Sequence, residues 1–504
     1  MQFTREPGEQ FWSGVVEHGD MMPYTPGESF DTRTSVRDNQ VSPLLLSSRG
    51  RYLWGDGDIA VAIGEDGVRV EDVAGSAQLA RGGTTLREGY LALSAQHFPA
   101  SGIAPPDAVF TAPQWNTWIE LVYDQTQSRI LDYAQGIVDH GYPPGVLMID
   151  DNWQEDYGVW EFHPTRFTAP KAMVDRLHQW GFKVMLWVCP FISPDSATFR
   201  EAERRGLLLQ QEDGTTAIRR WWNGLSAVLD LTNPATVAWF HERLESLQER
   251  FGIDGFKFDA GDQRFYRATD LSATGADPNG HCASYAAFAE AYALNELRSG
   301  WKGGGRALEQ RLTDALPIWG MDGLSSLIPR GLVHGLCGYA YSCPDMVGGG
   351  MASSFEKPGF QLDEELFVRW TQASALFPIL QFSLAPWRAL SPTSALLCRA
   401  TVGVRQRFVP LILELARNAA ATGEPIMRHL EYVFPQQGFH DVTDQFLLGD
   451  ELLVAPVLHQ GAQERQVVFP PGVWLGDDGS TVLGPTSALV PAPLDRLPHY
   501  RKQR

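Results

Sequence analysis

The sequence has few cysteines, no long apolar run and no cluster of basic residues. Its five cysteines are scattered and form no Cys-x-x-Cys pair, so we expect neither a disulfide framework nor a structural zinc site. No stretch approaches the roughly 18 consecutive apolar residues of a membrane-spanning helix. There are 41 basic against 60 acidic side chains, a net charge of −19, whereas a nucleic-acid surface needs clustered Lys and Arg. We therefore expect no nucleic-acid or membrane partner.

The composition is that of a globular chain. Its 504 residues are 44% apolar, enough for a sizeable core and for about three structural units. The N-terminus is polar and lacks the basic-then-apolar pattern of a signal peptide, which predicts a cytoplasmic protein. Of the 16 tryptophans, most must fill the core, and a few are expected to form flat platforms in a cleft.

The outer parts of the chain have a β pattern. Short β segments separated by Gly, Asp and Ser turns occupy the first 105 residues, at 43–48, 51–54, 59–63 and 90–93. The β pattern returns after residue 435, at 444–449, 452–457, 466–470 and 472–474. These patterns predict a short N-terminal β domain (1–105) and a C-terminal β-sandwich domain (436–504).

The central region, 106–435, alternates apolar runs with helical patterns, for example at 171–180 and 234–251. Eight runs are predicted barrel strands: 117–121, 145–150, 183–188, 255–259, 307–311, 338–342, 378–382 and 425–429. Eight parallel strands with intervening helices close a (β/α)8 or TIM barrel. The predicted fold class is therefore α/β, with this barrel between the two β domains.

Acidic residues come soon after several of these runs, where barrel enzymes place their catalytic groups. Asp150 and Asp151, Asp259, and Asp345 are the candidates. A single Asp at a strand end is more often a turn or capping residue. Asp259 differs because Lys257 lies two residues earlier, on the same side of the strand, where its charge would keep the carboxylate ionised. This arrangement indicates a nucleophile.

The sequence lacks the motifs that are typical of other catalytic chemistries. The sequence has no Gly-x-x-x-x-Gly-Lys-Ser/Thr phosphate loop, no His-Glu-x-x-His zinc helix and no Gly-x-Ser-x-Gly elbow. The glycine runs at 303–305 and 348–350 do not form a dinucleotide fingerprint. No cofactor or metal is expected. Paired carboxylates near tryptophans are the leading chemistry, and they favour a sugar substrate.

Five ordered segments together resemble glycoside hydrolase family 31: residues 146–153, 255–262, 338–349, 425–429 and 444–457. The resemblance extends from about Trp115 to Trp474. It implies a retaining α-glycosidase whose barrel lies between β domains. The Lys-x-Asp motif of the family places the nucleophile at Asp259. Its general acid/base, an Asp five residues before a Trp, is placed at Asp314.

Three departures from the family pattern narrow the choice of sugar that the site is expected to accept. Asp262 stands where Glu is usual, residues 311–314 replace the common Trp-x-Gly-Asp, and residues 381–383 replace an Arg-x-His. In the α-glucosidases of the family, that histidine acts on the sugar. Its replacement therefore makes an ordinary α-glucosidase a less favoured prediction for this sequence. With residues 221–224, 327–329, 344–349 and 381–388, the departures resemble an α-galactosidase subgroup of the family.

The subgroup resemblance also implies residues that bind the sugar. It places Trp222, Lys257 and Arg298 in the pocket, and the further pocket candidates are Trp118, Asp150, Asp151 and Trp187.

The sequence thus predicts an exo-acting, retaining α-glycosidase that hydrolyses a terminal α-galactoside by double displacement. The rivals within the family are α-glucosidase, α-xylosidase and α-N-acetylgalactosaminidase. A catalytically silent barrel that binds carbohydrate is the alternative from another class. The expected partner is a small carbohydrate, and a homo-oligomer is compatible with the sequence.

Overall fold

The computed structural model describes residues 1–33, 40–72 and 74–503. At its centre eight parallel strands form one sheet. Barrel strands 1 to 8, in chain order, are Gln114–Asn116, Val146–Ile149, Lys183–Val188, Gly255–Phe258, Asn295–Leu297, Gln310–Arg311, Ser342–Cys343 and Gln381–Phe382. A parallel bridge between Met346, in the loop after strand 7, and Gln381 of strand 8 closes the ring. The predicted fold class is confirmed.

The structure corrects two of the predicted barrel strands and contains one that was not predicted. The first ends at Asn116, and the apolar run at 117–121 forms the helical turn Trp118–Leu121, since a short apolar run does not distinguish strand from helix. Strand 5, Asn295–Leu297, was not predicted because it contains a single apolar residue. The run at 425–429 lies outside the barrel, since Met427–Arg428 pairs with Phe446–Leu448 in the C-terminal sheet.

Helices surround the barrel and connect its strands. They are Ala108–Thr111, Gln127–Asp139, Pro170–Gln179, Ala197–Arg204, Pro234–Phe251, Pro278–Ala289, Leu327–Leu336, Ala352–Phe355, Glu364–Ala375, Pro386–Ala389 and Pro392–Thr422. The helix before strand 4 shows why the sequence pattern predicted a helix there. Asn233 caps its first turn, Pro234 occupies the first position, and Gly252 ends it in the left-handed conformation.

The N-terminal region forms two antiparallel sheets against the barrel. One contains Gln2–Thr4, Ser29–Asp31, Ile59–Ile63 and Gly67–Asp72. The other contains Phe11–Val15, Gln40–Ser47, Arg51–Trp54 and Gln78–Arg81, and it gains the parallel strand Gly300–Trp301. The predicted β segment at 90–93 lies instead in the helix Leu86–His97, which a capping box of Thr85 and Glu88 begins.

The C-terminal region is a six-stranded antiparallel sheet. Its strands are Met427–Arg428, Phe446–Leu448, Leu452–Val454, Glu464–Gly476, Thr481–Pro491 and His499–Lys502. The helical turn Leu430–Val433 lies between the first and second of these strands. None of the helices in the described residues is both long and apolar enough to cross a membrane. The domain boundaries at 105 and 435 stay predictions.

A three-stranded sheet projects from the loop after barrel strand 3. It consists of Phe191–Ile192, Ile218–Trp221 and Gly224–Val228. The turn between the last two strands carries Trp222 and Asn223. This small sheet therefore brings aromatic and polar side chains over the carboxyl ends of the barrel strands, where the site lies.

Candidate active site

A cavity of about 300 Å³ opens at the carboxyl ends of the barrel strands. All nine site residues predicted from the sequence line it: Trp118, Asp150, Asp151, Trp187, Trp222, Lys257, Asp259, Arg298 and Asp314. The other lining residues are Val122, Tyr123, Arg264, Gly350, Met351, Ala352, Ser353 and Glu356. The volume lies near the lower end of small-molecule sites, which run from about 300 to 1,000 Å³. It suits one sugar ring.

Asp259, directly after barrel strand 4, is held by contacts on both carboxylate oxygens. The indole Nε1 of Trp187 donates to Oδ2 at 2.6 Å, and Nε of Arg298 lies 2.7 Å from Oδ1. The backbone N–H of Ala260 also donates to Oδ1, at 2.8 Å. Ala260 adopts a positive φ of 57°, a conformation that non-glycine residues adopt rarely. The backbone here turns sharply and fixes the carboxylate towards the cavity.

The charge of Asp259 is set by opposing effects. Burial alone would raise its pKa, but the positive charges of Arg298, Lys257 and Arg311 outweigh this and hold the pKa well below its usual range. The low pKa favours the ionised carboxylate at neutral pH. Arg298 is itself anchored, because its Nη2 donates to Asp262 Oδ2 at 2.8 Å. Asp262, a departure from the family pattern, thus positions the cation beside Asp259.

Asp314 lies beside a second arginine. Nη1 of Arg311 contacts Asp314 Oδ1 and Asp345 Oδ1, each at 2.7 Å. Asp345 is fully buried, whereas the Asp314 side chain is 26% exposed and faces the cavity. Burial raises the pKa of Asp345 to about 7, with Arg311 opposing the rise. One guanidinium therefore serves two carboxylates, of which only Asp314 can reach a substrate.

Lys257 does not touch Asp259 directly. Its Nζ donates to Asp150 Oδ2 at 2.7 Å and lies 4.0 Å from Glu296 Oε1. Burial would lower the pKa of Lys257, but Asp150 raises it above the usual value. The lysine is thus a buried cation that fixes Asp150 and contributes to the field at Asp259. The sequence prediction of a Lys257 charge acting on Asp259 agrees with this electrostatic effect.

Asp151 belongs to a different network. Tyr157 Oη donates to its Oδ1 at 2.9 Å, and Asn223 Nδ2 donates to its Oδ2 at 2.7 Å. Burial and the neighbouring charge of Asp150 raise the pKa of Asp151 to about 7. Its position in the cavity and its two fixed oxygens suit it for a hydrogen bond with a hydroxyl group.

Aromatic side chains form the walls. Trp118 donates from Nε1 to the Gly350 carbonyl at 3.0 Å and packs edge-on against Tyr123. Trp222 is 40% exposed, and the Arg298 guanidinium lies 5.1 Å from its ring centroid. These contacts give the cavity flat apolar surfaces near the carboxylates, the surroundings that sugar rings favour.

Position 381, where the family pattern has an arginine, has another role. Gln381 points into the barrel, where its Nε2 donates to Glu296 Oε2 at 2.5 Å and to Gln114 Oε1 at 3.0 Å. Ser383, at the histidine position, is buried and accepts from the Ile119 backbone N–H at 2.7 Å. No histidine is among the described residues that line the cavity.

Beneath the site, the barrel interior contains a buried carboxyl pair. Ligand atoms of Glu296, Glu309 and Cys343 lie within 4.8 Å of one another. Burial and the Glu296 charge raise the pKa of Glu309 well above its usual value, and burial likewise raises that of the Cys343 thiol. Arg311 Nε lies 3.3 Å from Glu296 Oε1. The raised pKa values favour the protonated forms of Glu309 and Cys343, and Glu296 already has a cationic partner, so the three groups are poorly suited to hold a metal ion.

Some residues of the site were not predicted. Arg311, Glu296, Tyr157 and Asn223 act through hydrogen bonds and ion pairs between distant segments, which no local pattern reveals. Asp345 was one of the acidic candidates at a strand end. The structure places it beside Arg311, but it does not line the cavity.

Comparison with known proteins gives the family. Residues 104–415 match the glycosyl hydrolases family 31 TIM-barrel domain, and residues 423–503 match the glycosyl hydrolase family 31 C-terminal domain. The chain belongs to glycoside hydrolase family 31. It is therefore a member of a glycosidase family, as the ordered sequence segments predicted.

Its relatives differ in their named activities. The chain is 35% identical to the myogenesis-regulating glycosidase of Mus musculus, over 80% of this chain and 58% of that protein. It is 25% identical to alpha-glucosidase 2 of Bacillus thermoamyloliquefaciens, over 75% of this chain and 51% of that one. The chain thus spans little more than half the length of these curated relatives.

Solved structures share the fold. The glycoside hydrolase family 31 dextranase of Flavobacterium johnsoniae, complexed with glucose, superimposes with a TM-score of 0.87 at 20% identity, covering 100% of this chain and 66% of that one. An α-xylosidase from a soil metagenome, complexed with xylose, gives a TM-score of 0.83 at 21% identity, covering 100% and 79%.

Proposed function

We propose that this family 31 glycosidase hydrolyses a terminal α-galactoside with retention of configuration. The observation that carries the proposal is that Asp259 and Asp314 line one cavity while contacting different arginines. Asp259 is kept ionised, as a nucleophile must be. Asp314 is part-exposed to the cavity, where it can exchange a proton with substrate and water.

The proposed reaction is a double displacement. Asp259 attacks the anomeric carbon and forms a covalent glycosyl-enzyme, while Asp314 gives a proton to the departing oxygen. Asp314 then accepts a proton from water, which attacks the anomeric carbon and releases Asp259. Trp187 and Arg298 hold Asp259 by its two oxygens, so the attacking carboxylate is oriented before substrate arrives.

The choice of galactose is supported by two observations. The chain is 35% identical to the myogenesis-regulating glycosidase, whose subgroup the sequence motifs resemble. In addition, Ser383 stands where family α-glucosidases use a histidine on the sugar, and its hydroxyl is engaged with the Ile119 backbone. The proposed sugar contacts, together with the side chains that support them, are Lys257, Asp150, Asp151, Trp118, Trp187, Trp222 and Arg298.

A second candidate is an α-glucosidase or α-xylosidase. Relatives with those names match 75% and 73% of the chain. A barrel that binds without turnover is a third, and a relative named SITS-binding protein, from Tetronarce californica, is 28% identical over 57% of the chain. That name does not describe a glycosidase.

The test is a panel of nitrophenyl α-glycosides with galactose, glucose, xylose and N-acetylgalactosamine as the sugar. Release of nitrophenol fastest from the α-galactoside supports the proposal, and proton NMR of the first-formed sugar should show the α-anomer. First formation of the β-anomer would refute retention. Release from no member of the panel, with sugar binding intact by calorimetry, would favour the binding-only barrel.

A further inference from the structure

The projecting three-stranded sheet places an asparagine beside the active-site cavity. Asn223 lies in the turn between the strands Ile218–Trp221 and Gly224–Val228, next to Trp222 in the chain. Trp222 lines the cavity, whereas Asn223 is half-buried and does not line it. The proposed reaction uses Trp222 as part of the cavity wall and gives no role to Asn223, so the function of this side chain has to be read from its contacts.

The amide of Asn223 joins three separate segments of the chain. Its Nδ2 donates to Asp151 Oδ2 at 2.7 Å and to Tyr157 Oη at 2.6 Å. Its Oδ1 accepts from Tyr123 Oη at 2.9 Å. These bonds use both hydrogens of the nitrogen and also the oxygen. Because an ionised carboxylate only accepts hydrogen bonds, the nitrogen must face Asp151 and the oxygen must face Tyr123, which fixes the orientation of the amide.

The contacts around Asp151 form a closed ring of hydrogen bonds. Tyr157 Oη donates to Asp151 Oδ1 at 2.9 Å, and Asn223 donates both to that hydroxyl and to Asp151 Oδ2. Each carboxylate oxygen thus receives one donor, and the carboxylate cannot rotate without breaking one of these bonds. A carboxylate has about four acceptor sites. Since Asp151 lines the cavity, the ring sets the direction in which its other sites accept from a substrate.

Aromatic packing supports the ring from the projecting sheet. The Tyr157 ring lies edge-on to Trp221, with centroids 4.7 Å apart. Trp221 is buried, and its Nε1 donates to Ser226 Oγ at 3.0 Å on the neighbouring strand. The sheet therefore holds Tyr157 by packing and Asn223 by its own turn, so both donors to Asp151 depend on one well-packed element.

We propose that Asn223 is a positioning residue that makes the enzyme selective for the sugar hydroxyl bound by Asp151. The inference rests on the proposed glycosidase function, in which Asp151 contacts the sugar. Asn223 does not touch the sugar but orients the Asp151 carboxylate towards one hydroxyl group. Its effect is confined to that hydroxyl, because Asp259 and Asp314 are held by different contacts, with two arginines.

The experiment measures how much each hydroxyl of the sugar contributes. The substrates are nitrophenyl α-galactoside and its 2-, 3-, 4- and 6-deoxy analogues, or the same set of the sugar that the panel identifies. The ratio of kcat/KM for the parent to kcat/KM for a deoxy analogue is the cost of losing that hydroxyl. Each ratio compares two substrates on one protein sample, so a smaller folded fraction in a variant cancels.

Asp151→Asn identifies the hydroxyl that Asp151 binds. In wild type its loss should cost roughly 10- to 100-fold, as for a hydrogen bond to a charged group, and in Asp151→Asn it should cost much less. Asn223→Ala should lower the cost of the same hydroxyl by roughly three- to tenfold, the value of an ordinary hydrogen bond. The costs of the other hydroxyls should equal those of wild type.

Asn233→Ala is the matched control. Asn233 is half-buried like Asn223, and its amide also makes hydrogen bonds at both ends, donating to the Gly206 carbonyl at 3.1 Å and accepting from the Ala235 N–H at 2.9 Å. It does not line the cavity. This variant should leave the cost of every hydroxyl as in wild type.

Three results would overturn the proposal: unchanged costs in Asn223→Ala, an equal reduction of all costs, or a reduction for a hydroxyl other than the one that Asp151→Asn identifies. If no glycoside is hydrolysed, the proposed function fails, and calorimetry with methyl α-galactoside and its deoxy analogues gives the same ratios from Kd. A reduction confined to the Asp151 hydroxyl then supports the positioning role, and a uniform or absent effect overturns it.

Discussion

Arg311 Nη1 lies 2.7 Å from Asp314 Oδ1, three residues along the chain. The same nitrogen contacts Asp345 at the same distance, so the buried Asp345 affects the cavity through Arg311. When Asp345 loses its proton, its full negative charge competes with Asp314 for Arg311. The proposed acid/base is thereby connected to a titrating group that substrate cannot reach.

Asp345→Asn should alter the pH profile above pH 7. The pKa of Asp345 is raised to about 7, so below that pH the wild-type side chain is largely neutral and resembles Asn. Above it, wild type gains a negative charge on Asp345, which shares Arg311 with the proposed acid/base, and a nearby negative charge favours the protonated form of an acid. The variant does not gain this charge. The alkaline limb of kcat/KM should therefore lie at lower pH in the variant. Coincident limbs in both proteins would contradict this coupling.

Asp259→Asn should lower kcat by roughly 10⁴-fold or more, as expected for loss of a covalent nucleophile. The replacement keeps the shape but has no attacking anion, and its amide nitrogen cannot accept one of the hydrogen bonds that the two carboxylate oxygens receive. Steady-state release of nitrophenol measures the loss, and Asp262→Asn, at a carboxylate outside the cavity, should lose much less. Comparable losses in both variants would remove Asp259 from its proposed role.

Asp314→Ala should affect substrates according to their leaving groups. General acid catalysis contributes about 10²–10⁴-fold, and a good leaving group does not need a proton. We expect a large fall in kcat/KM for an alkyl glycoside and a small one for the dinitrophenyl glycoside, with accumulation of glycosyl-enzyme detectable by mass spectrometry. The same fold loss on both substrates would argue against the assignment.

Arg298→Gln should move the acid limb of kcat/KM to higher pH. Burial raises the pKa of Asp259, and Arg298 is the largest influence that lowers it. Without this cation, Asp259 takes up a proton at less acidic pH and activity is lost there sooner. Arg298→Lys retains the charge and should move the limb less. An unmoved acid limb in the Gln variant would contradict the proposed origin of the low pKa.

Lys257→Met should destabilise the fold by about 3–5 kcal/mol, because it leaves Asp150 buried without its cation. Urea unfolding followed by fluorescence measures the change. The Asp150→Asn/Lys257→Met variant removes both charges and should recover much of the loss. A double variant as unstable as the sum of the single ones would show that the two side chains do not interact.

The fold and the cavity were largely predictable, and the reasons are local. Strand 2 is a continuous apolar run that is directly followed by Asp150, strand 3 has five consecutive apolar residues, and the motif around Asp259 is contiguous. Strand 5 was missed because two of its three residues, Asn295 and Glu296, are polar, and both are buried with hydrogen-bond partners that the sequence does not reveal. The segment at 425–429 was placed in the barrel because a strand's sequence does not state which sheet it joins.

Site residues could be predicted where a single segment of sequence contained a recognisable strand end or motif. Asp259, Asp314, Asp150 and Asp151 follow recognisable strands or motifs and do line the cavity. The shared use of Arg311 by Asp314 and Asp345 depends on two loops meeting in space. The cytoplasmic location and the oligomeric state stay predictions.

The strand Gln40–Ser47 of the larger N-terminal sheet contacts the part of the barrel that holds the proposed acid/base. Gln40 Nε2 donates to Gln310 Oε1 at 2.6 Å and to the Arg311 carbonyl at 3.1 Å, and its Oε1 contacts His334 Nε2 at 2.7 Å. Gln40 thus connects the N-terminal sheet to the barrel strand that carries Arg311, the arginine that contacts Asp314. A barrel separated from the N-terminal region would lose these hydrogen bonds. The N-terminal region therefore contributes to the support of the proposed acid/base.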